Sequence, residues 1–301
     1  MLERITGWPS DLDFRRTIEQ VVSAHLDRVW RVQYVQDKVA EASHPAAVLA
    51  DDTFAVFVKL GEGSLAKDQL EKEALGLRTL TEQAGILTPT IIGIVPVANW
   101  SLCIMEAVQV INRETAQWLE IGRALATLHR VKGQRFGFET YCYWGSLYQD
   151  NRPADDWLEF YRTRRLEPRL KAAVDSGNLP LELVSPVEQV INRLPELGGS
   201  TVEPSLLHGD AHHNNYISTV QGPVMIDPAA YYGHPEMDLA YVDFFAPVPV
   251  ALFHGYQEVT QIEPGFDERR ELWRLFAWLA LVEVVGEEYL PQLRAALQVY
   301  H

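Results

Sequence analysis

The feature that most constrains the fold is a change of character after Glu106. Before it the pattern is that of strands around one long helix. After it helical spacing dominates. The run TFAVFVKL, from Thr53 to Leu60, alternates as a strand and ends its alternation on Lys59. A helical pattern then runs from about 64 to 84 and stops at Gly85. Strand patterns at 91–97 and 101–106 flank Ala98-Asn99, and 46–49 reads as a further short strand. Upstream, Ser10 before Asp11-Leu12-Asp13-Phe14 reads as a capped helix start, with Phe14, Ile18, Val21, Val22 and Leu26 at helical spacing. Beyond Glu106, residues 114–130, 154–175, 185–194, 236–246 and 267–299 read as helix. The exception is 205–227, where NYISTV and PVMID flank Gln221-Gly222 as a hairpin. An α+β, bilobal fold follows: a small β-rich lobe with one long helix over 1–107 and a larger, mostly helical lobe over 108–301. A cleft between lobes is the usual place for a small-molecule site.

Charge narrows the partners. The 301 residues carry 41 acids against 26 Lys and Arg, a formal net charge of −15. Phosphate backbones and anionic lipid surfaces are held by Lys and Arg, so nucleic acid and membrane are both excluded as expected partners. The first thirty residues, with Asp11, Asp13, Glu19 and Asp27, lack the apolar run of a secretory signal, and no stretch is apolar for long enough to span a bilayer. A cytoplasmic protein is the expectation. Cys103 and Cys142 form no CxxC pair, and a core this size needs no disulfide. Oligomeric state is left open.

The densest chemistry is His208-Gly209-Asp210-Ala211-His212-His213-Asn214-Asn215, followed by Met225-Ile226-Asp227-Pro228. A hairpin between the two would bring Asp210, Asn215 and Asp227 together. Phosphoryl transfer needs such a set: one carboxylate to take the acceptor's proton, and a second carboxylate with an amide oxygen to hold Mg²⁺, a hard cation suited to oxygen ligands. The plain alternative is that Asp210 and Asn215 close a tight turn. Upstream, Lys59 ends a strand and Glu73 sits mid-helix, a pairing that fixes a flexible lysine against phosphates. With only six lysines in the chain, one flanked by Phe57, Val58 and Leu60 is unlike a plain surface lysine.

With FVKL, EKEALGLRTL, CIMEAV, HGDAHHNN and MIDPAAYYGHPEMDLA in this order, the chain resembles the aminoglycoside phosphotransferase-like kinases, and within them the fructosamine/ketosamine kinase family. The segment from Phe136 to Leu170 carries the same likeness. The resemblance implies a protein-kinase-like fold, with residues 1–107 as the nucleotide-binding lobe, acting with ATP and Mg²⁺ on a sugar hydroxyl of a ketoamine, free or protein-bound. Such phosphorylation marks a sugar–amine adduct for breakdown, a deglycation repair. By position, Asp210 is then the catalytic carboxylate and Asn215 and Asp227 the Mg²⁺ ligands. Lys59 meets the α/β-phosphates and pairs with Glu73, and the backbone of Glu106 and Val108 meets adenine. Asp238 braces the catalytic loop, and His208 fixes it by bonding backbone.

The chain departs from the family pattern in two places. Residues 27–50 hold no glycine where related kinases place a phosphate-covering turn, which motivates a nucleotide-binding pseudokinase as an alternative. His212-His213-Asn214 replaces Trp-Ser-Gly, which opens the acceptor to an aminoglycoside or another amino alcohol. His212 and His213 are candidates to face the acceptor, with the aromatics Trp144 and Tyr232 as weaker ones, while Trp157 reads as core. The histidines also permit a metal hydrolase. That reading has His and Asp in the wrong order for the common binuclear zinc pattern, and it leaves Lys59 and Glu73 unexplained.

Overall fold

A computed structural model describes residues 11–38 and 45–300. Helix α1 (Leu12–Leu26) is capped by Asp11, whose Oδ1 accepts from the Asp13 amide at 2.9 Å. The cap therefore falls one residue after the expected Ser10, which lies outside the described residues. Strands β1 (Tyr34–Asp37), β2 (Ala46–Ala50) and β3 (Ala55–Glu62) are followed by helix α2 (Ala66–Ala84), then β4 (Ile91–Val97) and β5 (Trp100–Glu106). They make one antiparallel sheet in the order β1-β2-β3-β5-β4. Within the glycine-free stretch, residues 39–44 lie outside the described residues.

Alternation along β3 decides what reaches the cleft. Val56, Val58 and Leu60 face one side and join Ile18, Val22, Leu102 and Ile104 in a core under α1. Phe57 and Lys59 face the other side, over which α2 lays Leu70 and Leu77 against Cys103 and Met105. Each such side chain taken from water contributes about 1.5–3 kcal/mol, so the face that carries Lys59 is fixed by its apolar neighbours.

The rest is mostly helical. Helix α3 (Thr115–His129) leads to the short hairpin β6 (Cys142–Trp144) and β7 (Leu147–Gln149), which the sequence reading lacked. The expected helix over 154–175 is split into α4 (Trp157–Tyr161), a π-helical turn over Arg162–Leu166, and α5 (Glu167–Asp175). Pro168 has no N–H for the Arg164 carbonyl, and the ladder widens ahead of it. The widened turn carries Arg165 inward, where its guanidinium lies 4.4 Å from the Tyr231 ring centre and donates to Asn151 Oδ1 at 2.6 Å. Helices α6 (Leu181–Asn192) and α7 (Leu194–Leu197) follow. Then come β8 (Ser205–Leu207), the hairpin β9 (Tyr216–Thr219) and β10 (Gly222–Met225), and β11 (Tyr231–Gly233), which pairs with β8.

The hairpin turn is Val220-Gln221, one residue ahead of the expected pair, because Thr219 pairs with Gly222. The Thr219 hydroxyl closes the turn, accepting from the Gln221 amide at 3.1 Å. Helix α8 (Glu236–Tyr241) is shorter than expected, α9 (Ala251–Gln257) was not foreseen, and the long 267–299 pattern is two helices, α10 (Phe266–Val284) and α11 (Leu290–Gln298). Gly286, at φ +99°, breaks that run, since other residues rarely adopt such a backbone. Trp157 is core, stacked on Tyr161 at 5.5 Å, and both cysteines are buried free thiols. No helix among the described residues is long and apolar enough to cross a membrane.

Candidate active site

A cleft of about 860 Å³ lies between the sheet and the helical part, lined by Lys59, Glu73, Glu106, Val108, Asp210 and Asp227 among others. Lys59 reaches it from β3 and Glu73 from the middle of α2. Asp227 follows β10, and Glu106 to Val108 is the stretch that leaves β5.

Lys59 is the hub. Its Nζ donates to both Glu73 oxygens, at 2.9 and 3.0 Å, and to Asp227 Oδ1 at 2.6 Å. Burial works against a charged ammonium, but the Glu73 and Asp227 carboxylates outweigh it and hold Lys59 protonated above the ordinary lysine range. Burial pushes the Glu73 carboxyl up, with Lys59 pulling it back down. Asp227 stands at φ +54°, a left-handed conformation that costs a side-chain-bearing residue about 1–2 kcal/mol. Strain of this kind persists where the surroundings over-determine it, and here the Lys59 bond holds the carboxylate.

The loop after β8 is held from behind. Asp238 Oδ2 accepts from the His208 amide at 2.7 Å and Oδ1 accepts from the Gly209 amide at 2.9 Å. His208 Nε2 donates to the Ile226 carbonyl at 2.9 Å, and its Nδ1 accepts from the Asp210 amide at 3.3 Å. Those two bonds require the neutral ring, and burial depresses its pKa accordingly. Gly209 takes φ +79°, where an added Cβ would lie 2.1 Å from the Ala229 carbonyl oxygen. Asn215 is pinned by its Nδ2 to the Asp210 carbonyl at 2.7 Å, and its own carbonyl accepts from the Ile226 amide at 3.0 Å. The hairpin thereby returns Asp227 beside Asn215 and Asp210. Burial, with the Asp227 charge adding to it, pushes the Asp210 carboxyl up to about 8, while the Trp144 N–H pulls the other way.

The structure thus gathers Lys59, Glu73, Asp210, Asn215 and Asp227, with Asp238 and His208 behind them. His212 lines the cleft, edge-on to Phe245 at 5.1 Å, and burial holds its pKa down to about 4. Trp144 meets Asp210, its Nε1 donating to Oδ1 at 2.9 Å, but its ring is buried and offers no open face. His213 and Tyr232 stand apart from the cleft lining. The His213 carbonyl is taken by Arg113 at 2.8 Å, and the Tyr232 hydroxyl donates to Gln83. Tyr232 belongs to strand pairing between β11 and β8, which turns it toward Phe138 rather than Asp210.

Two residues were missed. His129 ends α3. It is buried, with Nε2 on Asp238 Oδ2 at 3.1 Å and Nδ1 on the Tyr256 hydroxyl at 2.8 Å. Tyr256 reaches it because α3 and α9 touch at Gly122, where a Cβ would lie 1.9 Å from the Leu252 carbonyl oxygen. That glycine inside a helical pattern was the available signal. Arg113, in the irregular stretch before α3, ties the His213 carbonyl, the Tyr216 carbonyl and the Ser218 hydroxyl into one segment, and nothing in its local sequence marks it. Among the described residues no group of three or more His, Cys, Asp or Glu could hold a metal ion.

Comparison with known proteins agrees with this geometry. A protein named probable ketoamine kinase from Synechocystis is 30% identical over 288 residues, covering 94% of this chain and 95% of that one. A crystal structure described as a "putative fructosamine-3-kinase" from Thermobifida fusca superposes with a TM-score of 0.82 at 27% identity, over 95% of this chain and 97% of that one. The aminoglycoside phosphotransferase APH(4)-Ia superposes with a TM-score of 0.61 at 13% identity, over 94% of this chain and 96% of that one, a likeness of fold alone. The fructosamine kinase family model matches residues 14–300, and the chain belongs to the fructosamine kinase family.

Proposed function

We propose that the protein is an ATP- and Mg²⁺-dependent kinase that phosphorylates a sugar hydroxyl of a ketoamine, a ribulosamine or fructosamine adduct, in a deglycation reaction of the cytoplasm. The observation that carries this is the meeting of Lys59 from the sheet with Asp227, beside Asp210 and Asn215, across one cleft. The names of the relatives above support the acceptor class.

The donor set fits Mg²⁺. Asn215 spends its Nδ2 on the Asp210 carbonyl and keeps an amide oxygen, and Asp227 adds a carboxylate. Two hard oxygen donors suffice for an ion that takes the rest of its shell from phosphates and water. Bound there, Mg²⁺ supplies charge neutralisation at the triphosphate. The chain's own residues do the rest. Lys59 exchanges its Asp227 contact for phosphate oxygens while Glu73 keeps its stem in place. The Glu106–Val108 backbone receives the base. Asp210 accepts the hydroxyl proton as the acceptor oxygen attacks, and Asp238, through the His208 and Gly209 amides, keeps Asp210 from drifting.

A second reading, a kinase for an aminoglycoside or another amino alcohol, is favoured by His212 in the cleft lining and by the fold shared with an aminoglycoside phosphotransferase. One panel decides. ADP release is measured with ribulosamines and fructosamines of small amines, with glycated protein, and with aminoglycosides. Turnover on the ketoamines is the expected result. Turnover on antibiotics alone reverses the acceptor, and ATP binding without turnover on any acceptor favours the pseudokinase.

A further inference from the structure

The two carboxylate oxygens of Asp210 stand in different surroundings. Oδ1 accepts from Trp144 Nε1 at 2.9 Å. Oδ2 lies 3.8 Å from His212 Nε2, beyond hydrogen-bond reach, on the side where His212 meets the exposed ring of Phe245.

Trp144 is held firmly enough to act as a fixed point. It ends β6 and pairs with Leu147 of β7, and its buried ring packs edge-on to Phe276 at 5.7 Å. The start of the same strand is anchored as well, since Asn151 Nδ2 donates to the Cys142 sulfur at 3.2 Å and Arg165 in turn holds Asn151. A free aspartate turns readily about its last torsion, and its oxygens are interchangeable until one of them is held.

We propose that Trp144 is a positioning residue whose indole N–H fixes Oδ1 of Asp210, so that Oδ2, facing His212, is the oxygen that takes the acceptor's proton. The inference rests on the kinase reading above. In the step, the acceptor O–H bond breaks and its proton passes to Oδ2. A bond forms from the acceptor oxygen to the γ-phosphorus of ATP. The bond from that phosphorus to the β–γ bridging oxygen breaks, and its electron pair leaves with ADP. The acceptor hydroxyl therefore enters along the wall made by His212, whose ring packs edge-on to Phe245. Holding Oδ1 removes a rotation that would otherwise have to be frozen at the moment of transfer.

The test compares wild type with Asp210→Asn, with Trp144→Phe, and with a protein carrying benzothienylalanine at position 144. In the last, sulfur replaces the indole N–H while the ring keeps its shape. The acceptor is a ribulosamine of a small amine. Both Trp144 variants are expected to lose between about tenfold and a hundredfold in kcat, the scale of a misplaced reacting group. KM for ATP and for the acceptor should stay within about twofold, as for an interaction made in the transition state. A benzothienyl protein at full kcat beside an inactive Asp210→Asn overturns this inference alone. A loss confined to the acceptor KM also overturns it, making Trp144 a substrate contact. Full turnover by Asp210→Asn overturns the kinase reading and this inference with it.

Discussion

Lys59 and Asp227 are 168 residues apart in sequence and 2.6 Å apart in space. That bond joins the sheet to the hairpin of the helical part, and Glu73 completes it from α2. Replacing Lys59 by Met removes the charge and leaves two carboxylates facing each other. We expect kcat/KM for ATP to fall by a hundredfold or more, roughly the scale of a lost phosphate clamp. Denaturant unfolding at pH 7.5 should show a loss of about 3 kcal/mol, as for a buried pair stripped of one partner. Adding Glu73→Gln should restore stability but not activity. Activity restored by the second change would contradict the assigned role.

Behind the loop, Asp238 takes two backbone N–H groups and His129 at once. Asp238→Ala strands all three donors in the interior, so a loss of about 3–5 kcal/mol is expected. Tyr256→Phe removes only the far hydroxyl of the same chain, and about 1 kcal/mol is expected. Paired urea melts give the ratio. Equal effects would mean that the chain from Tyr256 to Asp238 does not support the loop.

Stability toward acid carries a sign that can be checked. His234 is buried, its Nδ1 accepts from the Glu236 amide at 3.1 Å, and burial depresses its pKa to about 4. The unfolded chain takes up this proton below about 6.5, the folded one only near 4, so stability is complete above pH 6.5 and is lost as pH falls through that window. At full development the loss is about 3 kcal/mol for this one group. His234→Asn keeps an acceptor for the Glu236 amide and should remove part of the slope. His212 and His208, also depressed by burial, keep the remainder. Unfolding free energies at pH 7, 5.5 and 4.5 decide. An unchanged slope in the variant would contradict the assignment.

Asn215→Ala keeps the loop's backbone and deletes the amide that meets the Asp210 carbonyl. ADP release should then need at least about tenfold more Mg²⁺ for half-maximal rate, in keeping with the loss of a metal-holding group. Titration of Mg²⁺ at fixed ATP measures this. An unaltered midpoint would remove Asn215 from the set of metal ligands.

Much of this was legible in the sequence, and the reasons differ by element. The β3 run and the α2 pattern carry their own periods, and Lys59 and Glu73 ride on them. Asp210, Asn215 and Asp227 were legible because a short hairpin has few ways to close. The π-helical turn before Pro168 and the break at Gly286 were not, since both interrupt a helical pattern that stays apolar at the right spacing on either side. Tyr232 looked close because it follows Asp227 by five residues, but pairing with β8 turned it away. His129 and Arg113 act through contacts 100 or more residues distant, and such contacts have no local signature.

The most direct test is ADP release from Mg·ATP with a ribulosamine acceptor by Asp210→Asn, alongside calorimetric ATP binding. Turnover should fall by about a thousandfold, within the range of a lost general base, while the ATP dissociation constant stays within a few-fold of wild type. Turnover near the wild-type rate in a folded, ATP-binding Asp210→Asn protein would contradict the account.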